Sequence, residues 1–325
     1  MSKLYLTDRS AIELMRTDAF PRPHEPMLLG TNDIDDAATR AQQIKELERA
    51  FGPLRVTPPY HIFAPDKRSR RSSKLAVCRA LPEGLVSPSF VSIDDACACA
   101  VPELAYLYIC QRDELAEHVR CAMELCGTYA LGPNERDTVT RYGLDALSSK
   151  EKIRTYAQEN HGVKGSGKAL SALRYVCDGS ASPMETALCM LLCLPPSSGG
   201  YGLPLPELNA ELPVIQHLGG KRVKGVRYGD LVYRAARLII EYQSRLFHEN
   251  AGSADKDEDR RDDLEVMDYH VMFVTPGRIK DFERFEGIVQ RVAHHLGVSL
   301  NPKIMGTTEE RLELRNMLLG NVLAY

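Results

Sequence analysis

The stretch from Gly229 to Gln243, Gly-Asp-Leu-Val-Tyr-Arg-Ala-Ala-Arg-Leu-Ile-Ile-Glu-Tyr-Gln, constrains the fold of this chain more than any other. It reads as two short apolar strands joined at Arg234 to Arg237. A two-residue turn centred on Ala235-Ala236 sets Asp230 directly opposite Glu241. Directly opposed residues of antiparallel strands project to one face, with Cβ atoms about 4.5–5.5 Å apart. Gln243, two residues beyond Glu241, shares that face. Two carboxylates that close repel each other unless a cation lies between them. Hard divalent cations are held in this way, by one or two carboxylates plus water. The spacing therefore offers a metal site. The alternative is an exposed hairpin carrying two unrelated acids.

At 325 residues the chain is long enough for two domains. No run of 18 apolar residues occurs, so no spanning helix is expected. The amino terminus, Met-Ser-Lys-Leu-Tyr-Leu-Thr-Asp-Arg, lacks a long apolar region and a cleavage site, and no secretory signal is expected. A net charge of −3 excludes a chain that is basic throughout, so any nucleic-acid binding must use local patches. The nine cysteines include no CxxC pair and no zinc-finger spacing. Most lie among Leu, Ala and Met at helical positions, where a thiol behaves as a small buried hydrophobe. A reduced, cytoplasmic setting follows as the expectation.

The pattern divides the chain at the Cys177 to Ala181 turn, into residues 1–178 and 179–325. The first part reads as a mainly helical α+β domain, with strands at Lys3–Leu6, Tyr60–Phe63 and Leu75–Val77. Its helices are expected from about Asp8 to Met15 and over Asp33–Phe51, Val101–Cys110, Asp113–Cys126, Asp145–His161 and Gly167–Cys177. The second part alternates helix and strand. A helix opens at Ser182-Pro183 and reaches Cys193. The two strands of the opening paragraph follow, then a helix over Asp262–Met267 and a strand over His270–Val274. A last long helix is capped by Thr275-Pro276 and ends at Gly297. This order implies an α/β layer fold.

Several local signals have competing readings. Gly162-Val-Lys-Gly-Ser-Gly-Lys168 has the GxxxxGK spacing of a phosphate-binding loop, but Ala169 stands where the mechanism needs Ser or Thr. A polar helix rather than a buried strand precedes it, so an inter-helix loop and no nucleotide cofactor are expected. The run Lys67 to Lys74 has five cations in eight residues and reads as a solvated loop or a phosphate contact. A second basic cluster, Lys221, Arg222, Lys224 and Arg227, leads into Asp230. It suits a phosphodiester substrate, or else protects a strand edge. Ser182-x-x-Glu185 is a capping box, and Glu185, one turn into its helix, can also face the Asp230/Glu241 site. His248 is a candidate base or ligand.

The ordered set Ser182-Pro-Met-Glu185-Thr, Asp230, Glu241-Tyr-Gln243-Ser-x-x-Phe-His248, Asp257-x-x-Arg260-Arg261-x-x-Leu264 and Val274-Thr275 resembles one family. This is the domain related to very-short-patch repair endonucleases, within the PD-(D/E)XK nuclease-like superfamily. The resemblance covers roughly Gly179 to Gly297. It implies a restriction-endonuclease-like mixed sheet flanked by helices, Mg²⁺ (or Mn²⁺) at Glu185, Asp230 and Glu241, and phosphodiester hydrolysis in DNA. It makes His248 and Asp257 candidate proton carriers or water positioners. The superfamily's lysine is Gln243 here, which can orient a water but cannot act as a base or an ammonium. Its usual Pro before the first Asp is Gly229. The first half more loosely resembles the abortive-infection type IV antitoxin family, over Val101-Pro-Glu-Leu-Ala-Tyr-Leu-Tyr and Glu124-Leu-Cys-Gly-Thr-Tyr-Ala.

The expectation is a metal-dependent endonuclease. Asp230 and Glu241 hold the metal, Gln243 orients a water and His248 moves a proton. Lys221, Arg222, Lys224, Arg227, Arg260 and Arg261 contact DNA phosphates. Two alternatives stay open. One is a non-catalytic nucleic-acid-binding or regulatory protein on a retired nuclease scaffold. The other is a toxin–antitoxin component that acts through a protein partner. None of these involves a membrane.

Overall fold

The computed structural model describes residues 2–22, 28–29, 34–51, 56–86, 88–112, 114–134, 137–218, 221–243, 267–300 and 307–320. The chain has an α/β architecture, with helices and mixed sheets. It forms two compact units, Met1–Val176 and Cys177–Tyr325.

Unit 1 is built on a six-stranded mixed sheet in the order β2-β5-β6-β1-β3-β4. The strands are β1 (Leu4–Leu6), β2 (Leu28–Leu29), β3 (Tyr60–Ala64), β4 (Ala76–Ala80), β5 (Phe90–Ser92) and β6 (Cys97–Ala100). The central strand β1 pairs parallel to β6 and antiparallel to β3. All four residues of β6, Cys-Ala-Cys-Ala, are buried. A strand that is buried throughout and made of small side chains shows no alternation, and no strand is expected there from sequence. Helices α1 (Asp8–Met15), α2 (Ala41–Phe51), α3 (Pro102–Ile109), α4 (Leu115–Leu125), α5 (Lys150–Glu159) and α6 (Ser166–Ala172) complete the unit, with a small ribbon of β7 (Tyr129–Ala130) and β8 (Arg141–Tyr142). The helix expected from Asp33 begins only at Ala41. Ile34 and Ala37 are buried in a turn held to β1 by Ala38 N–H donating to Lys3 O at 2.8 Å.

Unit 2 starts with α7 (Pro183–Cys193) and a four-stranded sheet in the order β12-β11-β10-β9. Its strands are β9 (Glu207–Leu218), β10 (Lys221–Tyr233), β11 (Leu238–Tyr242) and β12 (His270–Val274). The pairs β9/β10 and β10/β11 are antiparallel, whereas β11/β12 is parallel. Strand β9 is an addition to the three strands expected in this part. Its residues Glu-Leu-Asn-Ala-Glu-Leu-Pro-Val alternate, but Pro213 argues against a central strand. It lies at the sheet edge, where proline is tolerated. The last long helix divides into α8 (Pro276–Lys280) and α9 (Phe282–His295), because Asp281 is extended (φ −76°, ψ 120°) and caps α9 through its side chain. A further helix, α10 (Thr308–Leu319), follows a capping box formed by Thr307 and Glu310. That signal stands in the sequence, and the expected elements had stopped at Gly297. The helix expected over Asp262–Met267 falls almost wholly outside the described residues.

All nine cysteines are buried and unbridged. Among the described residues no helix is long and apolar enough to cross a membrane.

The GxxxxGK stretch has a structural role. It joins α5 to α6, and no strand precedes it. Gly165 has φ +106°, and a Cβ there would lie 2.1 Å from the carbonyl oxygen of Leu107. Gly165→Ala is therefore expected to destabilise unit 1 by about 3 kcal/mol or more. Gly143→Ala, with φ +66° but nothing within 4 Å of the added carbon, is expected to cost only about 1 kcal/mol. Denaturant unfolding of both variants compares them, and equal costs would remove the steric explanation.

Candidate metal and phosphodiester site

Strands β10 and β11 form the site's floor. Their ladder runs from Tyr233↔Leu238 through Val232↔Ile239 to Leu231↔Ile240. This is the register expected from the sequence. The turn, however, spans four residues: a 3-10 turn over Arg234–Ala236, then Arg237 in the left-handed region (φ 47°). Both turns share the Ala235-Ala236 midpoint, which is why the register is the same. The ladder stops at Leu231. Asp230 then sends its carboxylate Oδ2, rather than its carbonyl, to accept from the Tyr242 N–H at 2.7 Å. The two strands therefore part at Asp230 and Glu241.

Gly229 stands where the family that this region resembles in sequence carries proline, and there is a packing reason for it. A Cβ at position 229 would approach Val232 Cγ2 to 2.5 Å and Ile239 Cγ2 to 3.1 Å. Val232 and Ile239 belong to an apolar cluster with Ala210, Leu212 and Val214, and a side chain at 229 would have to displace it.

Glu185 comes to this site from the first turn of α7. Ser182 caps the helix, its Oγ accepting from Glu185 N–H at 3.1 Å. Glu185 Oε1 accepts from Ser182 Oγ at 2.8 Å, and Oε2 accepts from Ala181 N–H at 2.8 Å. The carboxylate thus reaches the residue before the cap, one place beyond the usual capping-box target. Oε2 also accepts from Asn209 Nδ2 at 2.5 Å, and the same amide nitrogen donates to Gly179 O at 2.9 Å. Asn209 is the residue of this candidate site that sequence reasoning missed. It lies on β9 between the pairs Gly229↔Ala210 and Leu231↔Leu208, which places it across from Asp230. Its φ of 47° is one that asparagine tolerates better than most residues.

Glu185 is only 7% exposed. Burial, and then the negative charge of Asp230, push its carboxyl up to about 7, against hydrogen bonds from Ala181, Ser182 and Asn209 that favour the charged form. The two acids are thus close enough to repel. Glu241 is also buried, at 5% exposure, opposite Phe273 on β12. Gln243 is half-buried, and its N–H donates to Val274 O at 3.0 Å, which extends the parallel pairing.

The convergence documented is that of Glu185 with Asp230. Among the described residues no three His, Cys, Asp or Glu side chains come together as a metal-ligand set, so Glu241 does not complete a triad with them. The donor chemistry of the Glu185–Asp230 pair nonetheless fits a hard divalent cation. Two carboxylates in one partly desolvated place, one of them raised by the other, are what such an ion neutralises. His248, Asp257, Arg260 and Arg261 lie outside the described residues. Lys221 and Arg222 head β10, and their side chains are likewise outside the described set. Lys224 is exposed and Arg227 half-buried on the same strand, beside Val223, Val226 and Tyr228, which are 43%, 44% and 54% exposed. Comparison with protein-family models, with curated proteins and with solved structures gives no match to this chain.

The raised Glu185 carboxyl has a consequence for stability. The folded state keeps this proton up to about pH 7, whereas the unfolded chain releases it near 4.5. The contribution is fully present below pH 4.5 and is lost as pH rises through 7, by about 3 kcal/mol at most. Glu185→Gln is expected to flatten the pH dependence of unit 2 unfolding between pH 5 and 7. A wild-type slope retained in the variant would show that another group titrates there.

Proposed function

We propose that unit 2 hydrolyses phosphodiester bonds in DNA with the help of a divalent metal ion, at the place where β10 and β11 part. The observation that carries this reading is the meeting of Glu185, from α7, with Asp230, from β10, in a partly desolvated setting. The mixed sheet of unit 2 agrees with the sheet that the resemblance to the very-short-patch repair domain implies.

A bound Mg²⁺ or Mn²⁺ would polarise a phosphoryl oxygen and lower the pKa of a coordinated water. The residues that would hold it are Asp230 and Glu185, with Glu241 adjoining. The chain's own groups divide the remaining work. The Tyr242 N–H fixes the Asp230 carboxylate through one oxygen. Asn209 and the start of α7 fix that of Glu185. With its carboxyl near 7, Glu185 can also take up or release a proton at neutral pH. The Gln243 amide can orient a water but cannot accept its proton. Lys224 and Arg227 lie on opposite faces of β10 in the β9–β10 hairpin and supply cations suited to backbone phosphates.

The retired-scaffold reading is favoured by Gln243 in place of lysine and by the hydrogen bonds already made to both Glu185 oxygens. Cleavage assays with DNA and Mg²⁺ or Mn²⁺ separate the two. Asp230→Asn is expected to lose metal-dependent cleavage by about 100-fold or more with the fold intact. Unchanged cleavage in that variant would sink the assignment. Wild-type protein that binds DNA in a salt-sensitive way but never cleaves it would support the scaffold reading. A co-purifying protein with negligible DNA affinity would support the partner reading. If the hairpin contacts DNA, Lys224→Ala with Arg227→Ala is expected to reduce the slope of log affinity against log salt by about 2. An unaltered slope would place DNA elsewhere.

A further inference from the structure

In unit 1 a second buried carboxylate lies in an environment opposite to that of Glu185. Asp8 follows β1 after Thr7 and opens α1 with φ 51°, a left-handed conformation at a non-glycine residue. Its side chain is fully buried. Arg79 of β4 donates from Nη2 to Oδ2 at 3.0 Å, and Arg112, just after α3, donates from Nη2 to Oδ1 at 2.7 Å. His61 of β3 places Nδ1 3.3 Å from Oδ2. Burial pushes the Asp8 carboxyl up, but the His61 contact and the charges of Arg112 and Arg79 more than offset it, and the group stays below the usual carboxylate range. Asp8 is therefore ionised.

The charges here do not balance. One carboxylate serves two guanidiniums, which leaves one positive charge in excess before His61 is counted. The contrast within the same unit is Glu124, which meets Arg16 one to one through two bonds of 2.8 and 2.7 Å and also accepts from Leu131 N–H. That pair is closed. The Asp8 cluster is not, since the Arg79 and Arg112 side chains remain 34% and 33% exposed. Arg112 places one nitrogen on Asp8, and among the described residues nothing else accepts from its guanidinium. Arg79 is fixed further by the Tyr108 ring, 5.6 Å below its centre, and by a 3.4 Å contact to Gln111 Oε1. Its Nε is buried and has no hydrogen-bond partner among the described residues, and the same holds for Thr7 Oγ1 beside Asp8. Lys168 adds a third cation nearby, its Nζ 3.3 Å from Arg112 O.

We propose that Arg79 and Arg112, held in place by Asp8, form a binding site for a phosphate monoester. Planar guanidinium forks match phosphate oxygens, and a buried carboxylate that fixes their orientation removes much of the entropy lost on binding. A phosphate monoester also presents three acceptor oxygens to these planar donors, where a monocarboxylate presents two. All of these residues lie in unit 1, so the site stands apart from the reading of unit 2.

The test is a calorimetric titration of the full chain with inorganic phosphate. Wild type is expected to bind saturably. Arg112→Gln is expected to bind at least tenfold more weakly, and Arg284→Gln, which removes an exposed cation from α9 of unit 2, to bind as wild type does. Arg112→Lys keeps the charge without the fork and serves as the second variant if Arg112→Gln does not fold. It too is expected to weaken binding. Oligonucleotides of one sequence with a 5′-phosphate or a 5′-hydroxyl then distinguish the source. A preference for the phosphorylated end identifies a nucleic-acid terminus, and no preference identifies a small free monoester. Absence of saturable phosphate binding by wild type, or unchanged binding in a folded Arg112 variant, would overturn the proposal.

Discussion

Unit 2 is organised around keeping one carboxylate, Glu185, out of water and beside a second one. A charged group in that position needs hydrogen-bond donors, and each donor fixes a different element. Ala181 and Ser182 fix the entry to α7. Asn209 fixes β9, and it does so only by adopting a left-handed backbone that turns its amide toward Gly179 and Glu185. Asp230 lies beyond the last ladder pair, with its carboxylate on the Tyr242 N–H. The cap, the kinked edge strand and the fork between β10 and β11 are therefore one arrangement. Hydrogen bonds to a charged group contribute roughly 1.5–3 kcal/mol each, yet burial and Asp230 still raise the Glu185 carboxyl. The repulsion left over is what a proton or a cation relieves.

The parts of this arrangement that follow from short-range rules were legible in the sequence. Asp230 and Glu241 are equidistant from Ala235-Ala236, so any symmetric turn there gives the same register. Ser182-Pro183 marks a helix start by its capping chemistry, and Glu185 is readable as a cap and as a site residue. Asn209 was not legible, because recognising it requires β9, and Pro213 argues against a strand until its edge position is known. Strand β6 was hidden by the small buried side chains that let it occupy the middle of a sheet. The Asp8 cluster was hidden for another reason. Its two arginines lie 71 and 104 residues away in sequence. No periodicity links such positions, and an aspartate at a helix start is fully explained by the helix dipole.

Three of the four buried carboxylates among the described residues show three different balances. Glu124 has one guanidinium in bidentate contact and is complete as it stands. Asp8 has an excess of cations, remains ionised and leaves donors turned toward solvent. Glu185 has a neighbouring acid and is pushed toward the neutral form. A balanced pair is a structural feature whose removal exposes an uncompensated buried charge. An unbalanced group is different, since the fold keeps a charge that no described neighbour fully neutralises. On the proposals made above, the sign of the imbalance sets the chemistry of what would bind: an anion at Asp8 and its arginines, a cation at Glu185 and Asp230. A chain with a net charge of only −3 can hold both because each is set locally, by burial and by a handful of donors, rather than by overall composition.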